Sequence, residues 1–218
     1  MPITAFPNVS KALPSGLLAV GGDLSVPSLL LAYSSGIFPW PHTDEEILWF
    51  APPERTILPF DVIRVPHSLK KEVRRKRFTT TKNQAFSLVI QECSKLIHRG
   101  DQEGTWITPG MIEAYNKLHH AGFAISYETW HDGTLVGGMY GVRIGRFFAG
   151  ESMFYRMSNA SKIAFLFAVE DLKKGGVTWI DCQTPSNFIN QLGGITISRR
   201  KYGLLLKEAI PSDGAGST

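Results

Sequence analysis

Three polar side chains in the last third of the chain have the types and spacing for handling protons without a metal. Asp181 and Gln183 stand two apart in the run "VTWIDCQ" (177–183), so both point to one face if that run is a strand. Glu151 emerges from an apolar run, "FFAGESMF" (147–154), where a carboxylate is costly unless a partner meets it. If the two runs lie near each other, the three groups converge. Met139, Phe148 and Met153 then come from the same sheet and wall an apolar pocket beside them. Each has an ordinary explanation when taken singly, because Asp181 can pair with a nearby cation and Met139 can fill a core. Together they describe a site.

Other chemistry is missing from the sequence. There is no GxxxxGK[ST] loop for phosphates and no GxGxxG opening a helix. "GESMF" begins like a nucleophile elbow, but its fifth residue is Phe154, so Ser152 is a poor nucleophile candidate. The histidines show no HxxxH or HExxH spacing, and Cys93 and Cys182 form no CxxC pair, so neither a metal nor a disulfide framework is expected. No stretch approaches the ~18 apolar residues of a membrane span, and "MPITAFPNVSKALPSG" is no secretory leader. A reduced, cytoplasmic setting and no membrane partner are expected.

Two further features suit a nucleic acid. Lys70, Lys71, Arg74, Arg75, Lys76 and Arg77 crowd into "KKEVRRKR", offset only by Glu72. A helix there would put Lys70, Arg74 and Arg77 on one face, with Lys71 and Arg75 beside them. Such density is self-repelling unless an anion approaches, and a phosphate backbone is the anion it fits. Trp40 and Trp106 lie in irregular segments, where an indole can offer its face to a nucleobase.

The elements that must position these residues follow from the pattern. Residues 1–62 are rich in Pro and Gly and read as a small module, with Ser25 as the cap of a brief helix. Apolar positions at Phe86, Val89, Ile90, Cys93, Leu96 and Ile97 predict a helix running to Gly100. Thr108 and Pro109 are the cap and first position of another, stopped by Gly122. Strands are expected at 123–130, 135–142 and 147–153, joined by "HDGT" and "RIGR" as an antiparallel meander. A helix over 159–174, the strand at 177–183, a short strand "ITIS" and a last helix complete residues 63–210, with 211–218 as a tail. This order argues α+β, a largely antiparallel sheet flanked by helices. The arrangement resembles the acetyltransferase-like acyltransferases. At the place where those enzymes cradle pyrophosphate on a glycine-rich turn, this chain has "YRMSNAS", without a glycine.

"GLLAVGGDLS", "GIFPW", "EGTWIT", "LVGGMYGV", "GESMF", "NASK" and "IDCQ" occur in order, in a resemblance that spans about residues 16–202. With them the chain resembles leucyl/phenylalanyl-tRNA–protein transferases. The resemblance implies transfer of leucine or phenylalanine, and methionine less well, from aminoacyl-tRNA to proteins with an N-terminal Lys or Arg, which marks them for degradation. It implies no cofactor and a monomer. It also implies that Gln183 contacts the attacking amine, that Asp181 polarises Gln183, and that Glu151 binds the cationic acceptor end. Met139, Phe148, Met153 and Phe165 would hold the acyl side chain, Trp40 and Trp106 the terminal adenosine, and Lys70, Lys71, Arg74, Arg75 and Arg77 the acceptor stem. A tRNA-dependent transferase with another acceptor, a tRNA-binding protein without catalysis and an N-acetyltransferase are the rival readings. The paired Asp181 and Gln183 beside an apolar pocket weigh against pure binding.

Overall fold

The computed structural model describes residues 1–41, 46–95 and 106–210. In chain order the elements are β1 (Leu17–Val20), α1 (Val26–Ser34), β2 (Phe38–Pro39), β3 (Leu48–Phe50), β4 (Glu54–Pro59), α2 (His67–Arg74), β5 (Thr79–Lys82) and α3 (Phe86–Ser94). There follow α4 (Pro109–His120), β6 (Ala124–His131), β7 (Thr134–Ile144), β8 (Phe147–Tyr155), α5 (Ala160–Lys174), β9 (Trp179–Asp181), α6 (Asn187–Leu192), β10 (Ile195–Ser198) and α7 (Arg199–Ala209). Helix α3 ends at Ser94, short of the expected Gly100, because Lys95 is extended at φ −78° and ψ 140°; residues 96–100 and the tail 211–218 lie outside the described residues. No described helix is long and apolar enough to cross a membrane.

Local chemistry sets most of these boundaries. Thr108 accepts the Met111 N–H at 3.3 Å and caps α4, whose Met111, Ala114, Tyr115 and Leu118 form one buried stripe. Asp132 and Gly133, at φ 48° and 72°, make the two-residue turn between β6 and β7, the conformation that matches strand twist. Ser198 ends β10 and caps α7 at once, through the Lys201 N–H at 3.3 Å.

Seven strands form the main sheet, in the order β10-β4-β9-β8-β7-β6-β5, and β1-β3-β2 form a small second sheet. The large sheet is antiparallel except where β8 meets β9, a parallel join that needs the crossover supplied by α5. The architecture is therefore α+β, with helices on both faces of a largely antiparallel sheet. Strand alternation divides the core: Ile57, Tyr140, Phe147 and Ala149 face α1, α3, α4 and α7, while Leu58, Met139 and Phe148 face α5 and α6. At Gly137 the N-terminus of α5 rests on the sheet so closely that a Cβ would stand 2.5 Å from the Ala160 Cβ.

Strand β4 lies between β9 and β10, so residues 54–59 belong to the large sheet although they precede position 62. Leu29, Tyr33, Ile37 and Trp49 share one buried cluster with Val89, Met111, Tyr140 and Tyr202, so the N-terminal segment and the large sheet have a common core.

Candidate active site

Glu151 occupies a β-bulge. Gly141 pairs with Gly150 and Tyr140 with Ser152, which leaves Glu151 opposite no residue. The burial phase records the inserted residue: Phe147 and Ala149 face one cluster, and Phe154, an odd number of positions on, faces the same one. A Cβ at Gly141 would stand 2.3 Å from the Ala149 carbonyl oxygen, so the bulge needs glycine across from it. The bulge aims the half-buried Glu151 carboxyl at two donors. One is the Gln183 amide, with Nε2 3.2 Å from Oε1. The other is the Tyr33 hydroxyl of α1, which in turn meets the Tyr115 hydroxyl of α4. Burial pushes the Glu151 carboxyl up to about 8, helped by the charge of Asp181 and opposed by the Tyr33 hydrogen bond and Arg55.

Gln183 is placed by a second irregularity. Strand β9 pairs with β8 at one position, Ala149 with Asp181, and beyond it the two strands part. Gln183 lies past the end of β9 at φ 52°, the centre of a γ-turn closed by the Thr184 N–H on the Cys182 carbonyl at 2.6 Å. Because the turn ends the strand's alternation, Asp181 and Gln183 do not share a face as the spacing predicts. The Gln183 amide lines the cavity, and Asp181 is fully buried behind it. The Asp181 carboxylate accepts the Gln183 backbone N–H at 3.0 Å, Arg55 Nε and Nη2 at 2.9 Å each, and the Tyr202 hydroxyl at 2.8 Å. Burial alone would lower the Arg55 guanidinium, but the charge and hydrogen bonds of Asp181, together with Tyr202 and Glu151, outweigh it and hold the group above its ordinary range. The Cys182 thiol, between the two, is pushed up by burial and by Asp181, which makes it a weak nucleophile.

Between the parting strands lies a cavity of about 250 Å³. It gathers Trp40, Trp106, Met139, Glu151, Met153, Phe165 and Gln183 from six separate elements or loops. Phe148 is not among them: it is 0% exposed on the side of the sheet facing α5, edge-on to Tyr127. Sequence reasoning missed Phe38, Ile180 and Ile189 in the lining, and Arg55, Tyr202, Tyr33 and Tyr115 behind it. The available signal for Arg55 was a lone cation opening the apolar run "RTIL". Nothing in spacing links it to Asp181, 126 residues away.

The basic segment is helical only to Arg74; Lys76 at φ 50° turns the chain, so Arg77 does not continue the face of Lys70 and Arg74. Buried Glu72 draws in Arg75, at 3.2 Å, and Arg77. Arg77 also lies 4.6 Å over the Phe78 ring. Lys70, Lys71 and Arg74 are exposed and make no ion pair among the described residues.

Comparison with known proteins places the chain in one family. The family described as leucyl/phenylalanyl-tRNA protein transferase matches residues 57–207, and the N-terminal domain of that family matches 22–53. A leucyl/phenylalanyl-tRNA–protein transferase of Flavobacterium psychrophilum is 47% identical over 204 residues, covering 94% of this chain and 96% of its own. One from Chromobacterium violaceum is 47% identical over 211 residues, 96% of this chain and 90% of its own. Among solved structures, L-PGS from Bacillus licheniformis overlays 84% of this chain and 69% of its own, with TM-score 0.48 and 13% identity. The family match covers most of the described residues, the bulged Glu151 and the Asp181–Gln183 turn included. The chain belongs to the leucyl/phenylalanyl-tRNA protein transferase family and is an aminoacyltransferase.

Proposed function

We propose that the protein carries leucine or phenylalanine, and methionine less well, from aminoacyl-tRNA to the α-amine of proteins beginning with Lys or Arg, in the cytoplasm, and so marks them for degradation. The observation that carries this reading is the placement of Glu151 against Gln183, 3.2 Å apart, in the wall of an apolar and aromatic cavity. An aminoacyl ester is already activated. Amide formation therefore needs positioning and a destination for protons, and no further energy source.

The acyl side chain fits the part of the cavity lined by Met139, Met153 and Phe165, where flexible thioethers accommodate Leu or Phe. Trp40 and Trp106 offer ring faces to the terminal adenosine. Lys70, Lys71 and Arg74 hold acceptor-stem phosphates without regard to sequence. Gln183 gives its Nε2–H to Glu151, which leaves its carbonyl oxygen to accept a hydrogen bond from the attacking nitrogen. An unperturbed α-amine titrates near ~7.7–8.0, and Glu151, at about 8, is matched to it. The arriving ammonium favours the Glu151 carboxylate, because a neighbouring cation stabilises the charged form. One ammonium proton passes to Glu151. A second leaves the nitrogen as the C–N bond forms and goes to the ribose oxygen as the ester C–O bond breaks. Asp181 supports the step through the backbone of Gln183.

The test is transfer of radiolabelled amino acid from Leu-, Phe- and Val-tRNA to a protein beginning with Arg, beside its twin beginning with Ala. Label from Leu- and Phe-tRNA on the Arg protein alone is expected. Label on both proteins overturns the acceptor rule, and transfer from Val-tRNA overturns the assignment of the acyl pocket.

A further inference from the structure

We propose that Arg55 is a positioning residue for the transfer step: clamped between the rings of Phe38 and Tyr202, its guanidinium fixes Asp181, and Asp181 holds Gln183 in the left-handed turn that aims its amide at Glu151. This rests on the reading that Gln183 meets the attacking amine.

The guanidinium has little freedom. Nε and Nη2 fork onto the two carboxylate oxygens, Nη1 donates to the Gly36 carbonyl at 3.3 Å, and Nη2 also reaches the Tyr202 hydroxyl at 3.4 Å. Its two faces are covered by Phe38 at 4.6 Å and Tyr202 at 4.5 Å. Asp181 is equally committed, since Arg55, Tyr202 and the Gln183 N–H together occupy both oxygens. A non-glycine residue at φ 52° is strained and persists only where its surroundings impose it. Three bonds do so here: the Gln183 N–H on Asp181, the Thr56 N–H on the Gln183 carbonyl at 3.0 Å, and the Cys182 N–H on the Thr56 carbonyl at 2.9 Å. Two of them come from the residue next to Arg55, so β4 holds the turn by side chain and by backbone together.

The same guanidinium grips the other wall. Gly36 and Phe38 lead directly into Trp40, so the segment on the nucleobase side and the turn on the amine side hang on one group. A lysine, with one point of attachment, cannot fork onto Asp181 and reach Gly36 as well. A buried ion pair is by itself weak support for stability, because apolar replacements are often as stable. Its fork, its two ring contacts and its bond through Asp181 to Gln183 are what a positioning role requires.

The experiment is a double-mutant cycle in single-turnover transfer, using Phe-tRNA and an acceptor beginning with Arg. It compares wild type, Arg55→Lys, Tyr202→Phe, Gln183→Ala and the two doubles with Gln183→Ala, and records the melting temperature of each. The transfer rate should fall about 30-fold in Arg55→Lys and about 5-fold in Tyr202→Phe, and each loss should shrink to about twofold when Gln183 is already alanine, because residues acting as a unit are non-additive. Tyr202→Phe keeps its ring over the guanidinium and removes one hydroxyl, so it carries the test even if Arg55→Lys does not fold. Equal losses in both backgrounds, or no loss in either single variant, overturn the role of Arg55. Full transfer by Gln183→Ala is a separate pattern and overturns the role of Gln183 itself, and the proposal with it.

Discussion

Glu151 is held far from the ordinary chemistry of a carboxyl group, and it makes a prediction of its own. Burial raises its carboxyl from 4.5 to about 8, so the folded chain holds that proton more tightly than the unfolded chain. The resulting stabilisation is complete below pH 4.5 and is lost as the pH rises through about 8. Glu151→Gln keeps the shape and removes the titration. Melting temperatures measured across that window should show the wild type losing ground to the variant as the pH rises; parallel curves would place Glu151 in water. Phe148 and Met153 separate in the same way, by where their side chains end. Phe148→Ala empties a fully buried site and should cost about 3–5 kcal/mol while leaving the ratio of Leu to Phe transfer unchanged. Met153→Ala, on the cavity wall, should shift that ratio with a small change in melting temperature.

At the scale of elements, the site is made where regular structure is broken. A bulge in β8 presents Glu151, a γ-turn after β9 presents Gln183, and the parting of the two strands opens the cavity between them. The hairpin turn at Asp132-Gly133 and the cap at Thr108 were legible because both are local and need only neighbouring residues. The bulge was not, because it is defined by a partner strand. Helix α2 shows the same contrast in charge. Its density of cations is plain in the sequence, but only the fold reveals that buried Glu72 engages Arg75 and Arg77. Replacing Lys70, Lys71 and Arg74 together by Ala should weaken all aminoacyl-tRNAs alike and reduce the slope of log affinity against log salt by about 2–3, near one unit per phosphate contact. Replacing Arg75 and Arg77 should instead lower the melting temperature, because Glu72 is then buried without its cations. Filter binding across a salt series, with a thermal melt of each variant, checks both.

At the scale of the molecule, the N-terminal segment shares the core of the large sheet and part of the cavity wall. It contributes Tyr33 to the Glu151 network, Gly36 and Phe38 to the Arg55 clamp, and Trp40 to the cavity, and its apolar residues sit in the same core as α3, α4 and α7. The whole chain should therefore unfold in one cooperative transition, with equal calorimetric and van't Hoff enthalpies. A fragment of residues 57–210 should lack that transition, since it would expose the side of the core that Leu29, Tyr33 and Trp49 cover. Two separate transitions in the intact chain would overturn the shared core.

The sequence by itself determined the α+β order of elements, the cap at Thr108, the hairpin turn and the family, and it singled out Glu151, Gln183, Trp40, Trp106, Met139, Met153 and Phe165, which line one cavity, with Asp181 behind it; Ser25 stands at the start of α1 but makes no side-chain cap bond. These depend on residue type, on short-range periodicity and on motifs that stand in order along the chain. Only the tertiary structure decided that Asp181 faces Arg55 and Tyr202 and meets Gln183 through the backbone, that Gln183 turns instead to Glu151, and that Phe148 belongs to the core. The physical reason is that a fully buried carboxylate must be met by donors, and those donors come from β4 and α7, 126 positions before Asp181 and 21 after it. No local pattern specifies a pairing across such distances; it exists once β4, β9 and α7 are packed together.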